Sequence, residues 1–363
     1  MLRRIYIDNY KCCVNFEVKF NSINLLLGEN GAGKSTVFDI LRKIQALLGE
    51  GREILDLFPI DSLTRWQTRE NQRFEIELTG NGGEYRYELV IEHKRTKQLS
   101  RIHTEKLWFD NKPLIDFSAG NAQLYRDNYS EGPNYPFDWN RSAVGSLPSR
   151  EDNTKLTWFK NRFRRMLIIH INPMSIESRS EKESDLLDVQ CRNFLSWYRF
   201  VSQNQGNAFE ITNALQKVID GFKYFEFKQV GESQRLLNVC IANNKYRFDE
   251  LSDGQRALIV LYTVIHFTQG QDYTLCIDEP ENFVSLPEIQ PWLSQLYDFA
   301  VDNELQALLI SHHPELINYL AGSAGIWFER SGDMPVRVSS ASATSGLPLS
   351  ELVARGWIHE PAL

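Results

Sequence analysis

Four separated stretches of this chain hold residues whose types and spacing suit phosphate chemistry. Gly28-Glu29-Asn30-Gly31-Ala32-Gly33-Lys34-Ser35, followed by Thr36, fits G-x-x-x-x-G-K-[ST]. Such a loop lets successive backbone N–H groups converge on a phosphate at a helix N-terminus, because glycines keep side chains out of the way. Lys34 would neutralise the β- and γ-phosphates, and Ser35 would give its hydroxyl to Mg²⁺. Far downstream, Leu275-Cys276-Ile277-Asp278-Glu279 sets two carboxylates at the end of an apolar stretch. Asp278 suits a magnesium held through water, and Glu279 suits a base that orients and deprotonates an attacking water. Either stretch alone has a plain structural explanation, a glycine turn or an acidic strand end. Their occurrence in one chain favours the chemical reading.

Two further stretches belong with these. Leu251-Ser252-Asp253-Gly254-Gln255 reads locally as an N-cap and turn opening a helix over 255–267. Its functional reading is that Ser252 and the N–H groups from Gly254 onward bind a γ-phosphate held by another subunit. Ala307-Leu308-Leu309-Ile310-Ser311-His312-His313 is an apolar stretch ending in histidines, and a neutral imidazole there can sense a γ-phosphate. His312 is preferred to His313 because it lies nearer the strand end. A glutamine coupling Mg²⁺ to the rest of the molecule is expected between the glycine loop and the following strands. Gln67 and Gln72 are the candidates, with Gln72 taken as the metal-side residue.

The elements that must position these groups follow from periodicity. Ile5, Ile7, Phe16, Val18 and Phe20 alternate with polar residues as in half-buried strands. A strand over 23–27 feeds the loop, and a helix over 36–48 leaves it, with Phe38, Leu41, Ile44, Leu47 and Leu48 on one face. Segments 73–78, 84–92 and 102–109 read as an antiparallel meander, with Asn81-Gly82-Gly83 as a hairpin turn. From 116 to about 153 no period is visible, which predicts a long surface loop. Strands are predicted over 166–171, 224–227 and 236–241, and helices over 184–201 and 209–219.

Composition bounds the class. The 363 residues carry 40 Lys+Arg against 47 Asp+Glu, a net charge of −7, which disfavours a coat of nucleic-acid-binding charge. A local basic run, Lys155, Lys160, Arg162, Arg164 and Arg165 among Trp158, Phe159 and Phe163, could still touch DNA with its aromatics stacked on bases. A helix whose aromatics enter the core is the commoner use of such a run. Five scattered cysteines without a C-x-x-C spacing suit a reducing cytoplasm, and zinc is not expected. Adjacent Cys12 and Cys13 should diverge on a strand. The longest apolar run, 257–267, is too short for a membrane span, so no membrane is expected among the partners.

These residues resemble the ATPase heads of the ABC superfamily, and within it the SMC, RecF and OLD branch often described as AAA-type ATPases of anti-phage modules. Ile5-Tyr6-Ile7-Asp8-Asn9-Tyr10-Lys11 resembles that branch's opening strand. Asp278-Glu279-Pro280-Glu281-Asn282 with Leu286-Pro287 resembles its acidic segment, with Ser285 where histidine is frequent. Ser311-His312-His313-Pro314 resembles its histidine switch, and Asp253 replaces the second glycine of the transporter-type signature. The resemblance implies an α/β, two-lobed P-loop ATPase head: a mixed sheet around the loop, an antiparallel β-subdomain and a helical insertion. It implies a single head over 1–363, with an N-terminal lobe (1–115), an insertion (116–223) and a C-terminal lobe (224–363).

The resemblance further implies ATP and Mg²⁺ as ligands, and a homodimer or higher oligomer closed by ATP across Ser252, Asp253, Gly254 and Gln255. Long coiled-coil arms are missing, and the chain ends at Leu363 without room for a Toprim nuclease. A separate effector protein is therefore the expected output, with Glu279, Lys34 and His312 as the catalytic set. A DNA-repair or DNA-end-binding head is the alternative.

Overall fold

Alternation of apolar and charged residues builds the largest sheet. The computed structural model describes residues 1–341 and 348–355. The chain begins with strands β1 (Leu2–Asp8), β2 (Phe16–Lys19) and β3 (Ile23–Gly28), helices α1 (Lys34–Gly49) and α2 (Ile54–Leu57), then β4 (Asn71–Gly80), β5 (Gly83–Lys94) and β6 (Leu99–Phe109). It continues through β7 (Lys112–Ser118), β8 (Asn121–Tyr125) and β9 (Glu131–Pro136) to helices α3 (Ala143–Ser146) and α4 (Thr154–Arg164). Eight of these strands form one antiparallel sheet in the order β2-β1-β4-β5-β6-β7-β8-β9. Ile5, Ile7, Phe74, Ile76, Leu78, Tyr87 and Leu89 fill its buried face. The opposite face carries a charge ladder in which Arg4 pairs with Glu75 and Glu77, each at 2.9 Å. The expected meander is present, and Asn81 and Gly82, with φ of 53° and 80°, make its two-residue turn between Gly80 and Gly83.

The expected long loop over 116–153 is instead β7, β8, β9 and α3. Ala119 and Gly120 take positive φ and close a tight turn, and β9 is polar with little of it buried, so its sequence shows no alternation. Two carboxylates organise this stretch. Asp127 accepts from Thr154 N at 2.7 Å and Lys155 N at 3.0 Å, capping α4 from a distant loop. Glu105 is fully buried and accepts from Tyr87 Oη (2.7 Å), Ser142 Oγ (2.5 Å) and Ala143 N (2.7 Å), while burial raises its pKa above the ordinary glutamate value.

The middle of the chain supplies β10 (Met166–Ile169), α5 (Phe194–Val201), α6 (Gln205–Val218), β11 (Phe222–Val230), β12 (Gln234–Ile241) and β13 (Asn244–Arg247). It goes on to α7 (Asp253–Thr268), β14 (Thr274–Asp278), α8 (Leu286–Val301) and β15 (Gln306–Ile310). Helix α9 (Pro314–Ala324), strands β16 (Gly325–Glu329) and β17 (Arg337–Ser340), and helix α10 (Leu349–Arg355) complete the described chain. The helix expected over 184–201 is shortened to α5. Asp188, Asn193 and Ser184 spend their side chains on backbone groups of 186–192, and Cys191 sits at φ 59°, so this stretch coils instead.

The molecule divides into two compact units, Met1–Met166 with Ile317–Leu363, and Leu167–Leu316. They do not follow the expected boundaries at 115 and 223, because the end of the chain folds back onto its beginning. Residues 342–347 and 356–363 of the expected 224–363 lobe lie outside the described residues. In the first unit, β3 is parallel to β16, and β16 is antiparallel to β17, a mixed arrangement directly under the glycine loop. In the second, β14 and β15 run parallel with Asp278 opposite Ile310, and β11, β12 and β13 form a separate antiparallel sheet. None of the described helices is long and apolar enough to cross a membrane.

Candidate functional site

The glycine loop is shaped by backbone that other residues could not adopt. Gly28 ends the fully buried β3 at φ 141°, and a Cβ there would stand 2.2 Å from the Phe328 carbonyl oxygen on β16. Gly31 and Gly33 also have positive φ, 80° and 100°, and a Cβ on Gly33 would meet Cys12 Sγ at 3.0 Å. Lys34 is 5% exposed and folds back, its Nζ donating to Gly28 O (2.7 Å) and Glu29 O (3.0 Å). Helix α1 starts here with no side-chain cap and no acidic residue in its first turn. A curled glycine backbone, a lysine turned onto it and a helix N-terminus without a carboxylate suit a polyphosphate.

Cys12 and Cys13 do not diverge on a strand as expected. Asn9, Lys11 and Asn15 take positive φ and turn the chain between β1 and β2, so both thiols are buried in a turn. The adjacent Cys13 thiol, aided by Thr36 and Arg330, lowers the Cys12 thiol to about 6 despite burial, and Cys12 together with burial drives Cys13 well up. Cys12 thus packs beneath the phosphate loop.

The carboxylates sit at the end of β14 in the second unit. Glu279 has φ 52°, a left-handed conformation that disfavours a residue with a side chain. Its N–H donates to Ile310 O at 2.8 Å, and Asn282 Nδ2 donates to its Oε2 at 2.7 Å. His170 Nδ1 lies 3.2 Å from Asp278 O. One turn further, Ser311 Oγ donates to Glu281 Oε1 at 2.6 Å and accepts from His313 N at 2.9 Å. Burial raises the Glu281 pKa against that hydrogen bond. His313 Nδ1 accepts from Glu315 N at 3.3 Å, which engages it at the start of α9, whereas the His312 side chain is exposed at the end of β15.

At the start of α7, Ser252 caps the helix. Its Oγ accepts from Gln255 N at 3.2 Å, and Gln255 Oε1 accepts from Ser252 N at 3.2 Å. The local reading is therefore realised, with Ser252 still exposed. Gly254 has a packing reason of its own: a Cβ would stand 2.7 Å from Phe283 O, so only glycine lets α7 approach the segment after Glu279 this closely. Asp253 pairs with Arg256, whose Nη1 donates to Pro173 O at 2.8 Å.

Gln72 is placed where it has little to offer a metal. It is fully buried, its Nε2 donates to Asn9 O and Ser62 Oγ, each at 3.1 Å, and its Oε1 lies 2.9 Å from His93 Nε2. Gln67, half-buried, is the accessible candidate of the two. The basic run lies on α4, with Phe159, Phe163 and Arg162 buried and Trp158 stacked on Tyr85 at 4.9 Å. Lys160 Nζ donates to Gly145 O and Leu147 O at 2.8 and 2.6 Å. Phe159 and Phe163 serve the core, and half-buried Trp158 spends one face on Tyr85. Asn282, Ser311, Glu281 and His170 were not singled out from sequence as site residues. Glu281, Asn282 and Ser311 fall within the motif segments without a role of their own, and nothing local in the sequence points to His170.

The fold is that of solved SMC head domains. The solved SMC head domain from Thermotoga maritima is 13% identical at a TM-score of 0.51, covering 94% of this chain and 99% of that one. The Smc head domain with an extended coiled coil from Pyrococcus furiosus, solved bound to the C-terminal domain of ScpA, is 10% identical at 0.54, covering 93% and 96%. The chain belongs to the AAA_21 family, described as "AAA domain, putative AbiEii toxin, Type IV TA system", whose model matches residues 23–318. No curated protein matches the chain.

Proposed function

We propose that this chain binds and hydrolyses ATP with Mg²⁺, closes head-to-head as a homodimer on ATP, and regulates a separate effector protein in anti-phage defence. The observation that carries the reading is the glycine loop, with its positive-φ glycines and the Lys34 ammonium turned onto the loop carbonyls. Membership of the AAA_21 family supports it. The residues present fit the ligands. Backbone N–H groups of Gly28–Ser35 and the N-terminus of α1 would hold the phosphates, with Thr36 beside them. Ser35 would offer Mg²⁺ its hydroxyl, with Gln67 preferred to Gln72, and Asp278 is assigned to the ion from its motif alone. Bound there, the ion would withdraw charge from the phosphate oxygens.

Glu279 would orient and deprotonate the attacking water, and Asn282 would fix its carboxylate. His312 would read the γ-phosphate. Ser252, Asp253, Gly254 and Gln255 would meet the nucleotide of the second copy. The family description's toxin–antitoxin wording supports an effector partner.

The test is steady-state phosphate release by the purified chain, with and without duplex DNA, against Glu279→Gln as blank. Turnover that Glu279→Gln abolishes and DNA leaves unchanged supports this reading. A rise with DNA that is lost on changing exposed Arg164 and Arg165 would replace it with a DNA-end-binding head. Equal release by the chain and its Glu279→Gln variant would overturn the assignment of Glu279.

A further inference from the structure

The ATPase motifs leave one side-chain pair at the glycine loop without a task. Trp66 is 38% exposed, although its segment is firmly anchored. Lys11 N donates to Ser62 O at 2.8 Å, Gln67 N donates to Thr64 O at 3.1 Å, and Tyr10 bridges to Leu63. The same turn carries Cys12, which packs against Gly33. On its other side, Trp66 is held by Arg330, whose guanidinium lies 5.6 Å from the indole centroid. Arg330 itself leaves the end of β16, donates from Nε to Met334 O at 3.2 Å and brings Nη1 to 3.5 Å from Gly31 O. One guanidinium therefore separates an exposed indole from the apex of the phosphate loop.

An indole partly in water beside a phosphate-binding loop is a π surface without a partner of its own size. A cation over one part of the ring orients it, and such rings stack on nucleobases. We propose that Trp66, held by Arg330, is the platform on which the base of a nucleoside triphosphate stacks when its phosphates occupy the Gly28–Ser35 loop. This rests on the reading of that loop as a triphosphate site. Every base offers a π face, so the platform favours nucleotides over bare polyphosphate without choosing between ATP and GTP.

The experiment is calorimetric titration of the full chain and of Trp66→Ala and Trp66→Phe with ATP, GTP and inorganic tripolyphosphate, each with Mg²⁺. Trp66→Ala is expected to weaken ATP and GTP alike by about tenfold. It should leave tripolyphosphate binding unchanged, and Trp66→Phe should keep most of the nucleotide affinity. Equal losses for ATP and tripolyphosphate would overturn the platform, because Trp66 would then act only by holding Arg330 on the loop. Unchanged ATP binding would overturn it too. If the unsubstituted chain binds neither ATP nor tripolyphosphate, the triphosphate site itself is wrong and the platform goes with it, an outcome distinct from the other two.

Discussion

Glu279 owes its position to two partners and one backbone angle. The Ile310 carbonyl fixes its backbone, the left-handed φ re-aims the side chain as it leaves β14, and Asn282 holds one carboxylate oxygen. A base must be aimed before its pKa matters. Asn282→Ala should therefore lower kcat by roughly tenfold to a hundredfold while ATP affinity, measured by titration, stays put. A matching loss of affinity would show instead that Asn282 supports the fold around the site. Gly28 makes a sterner case. Its Cβ would overlap the Phe328 carbonyl at 2.2 Å in a conformation alanine resists, so Gly28→Ala should lose more than about 2 kcal/mol in a denaturant titration.

The legibility of the elements tracks how local their causes are. Strand β3, helix α1, helix α7 and strands β14 and β15 were readable because an apolar period or run sits beside a motif. Strands β7, β8 and β9 were not, since their polar residues lie at the end of the sheet and their turns rely on Ala119 and Gly120. The stretch before α5 misled because Asp188 and Asn193 bond to its backbone in place of a helix. The adjacent thiols of Cys12 and Cys13 misled for a like reason, a turn set by positive-φ residues that alternation cannot report.

Two elements carry predictions of their own. Asp127 caps α4 from another loop, so Asp127→Ala should cost about 1 kcal/mol of stability in urea unfolding. His93, buried between Ser100 Oγ and Gln72 Oε1, is held neutral by burial, its pKa lowered from 6.5 to about 4. The unfolded chain takes up that proton first as the pH falls. Its contribution is complete above 6.5 and is lost as the pH falls toward about 4, a change on the order of 3 kcal/mol. In His93→Gln the acid limb of the stability curve should lack that component.

At the scale of the whole molecule, the sequence could not announce how β16 would lie beside β3. Nothing local in Gly325–Glu329 specifies a partner three hundred residues away, and the pairing brings Phe328 under Gly28 and Arg330 to the loop. The remaining chemistry depends on a second copy, because the capped start of α7 is assigned to a nucleotide that its own chain does not hold. In the proposed function ATP is the ligand that would shift monomer to dimer, and hydrolysis would reverse the shift. The most direct measurement is the molar mass of Glu279→Gln by light scattering, with and without Mg²⁺–ATP, because it does not depend on an effector for turnover. The account predicts a doubled mass on ATP that Lys34→Ala abolishes. An unchanged mass for Glu279→Gln at saturating ATP, with binding verified in the same sample, would contradict it.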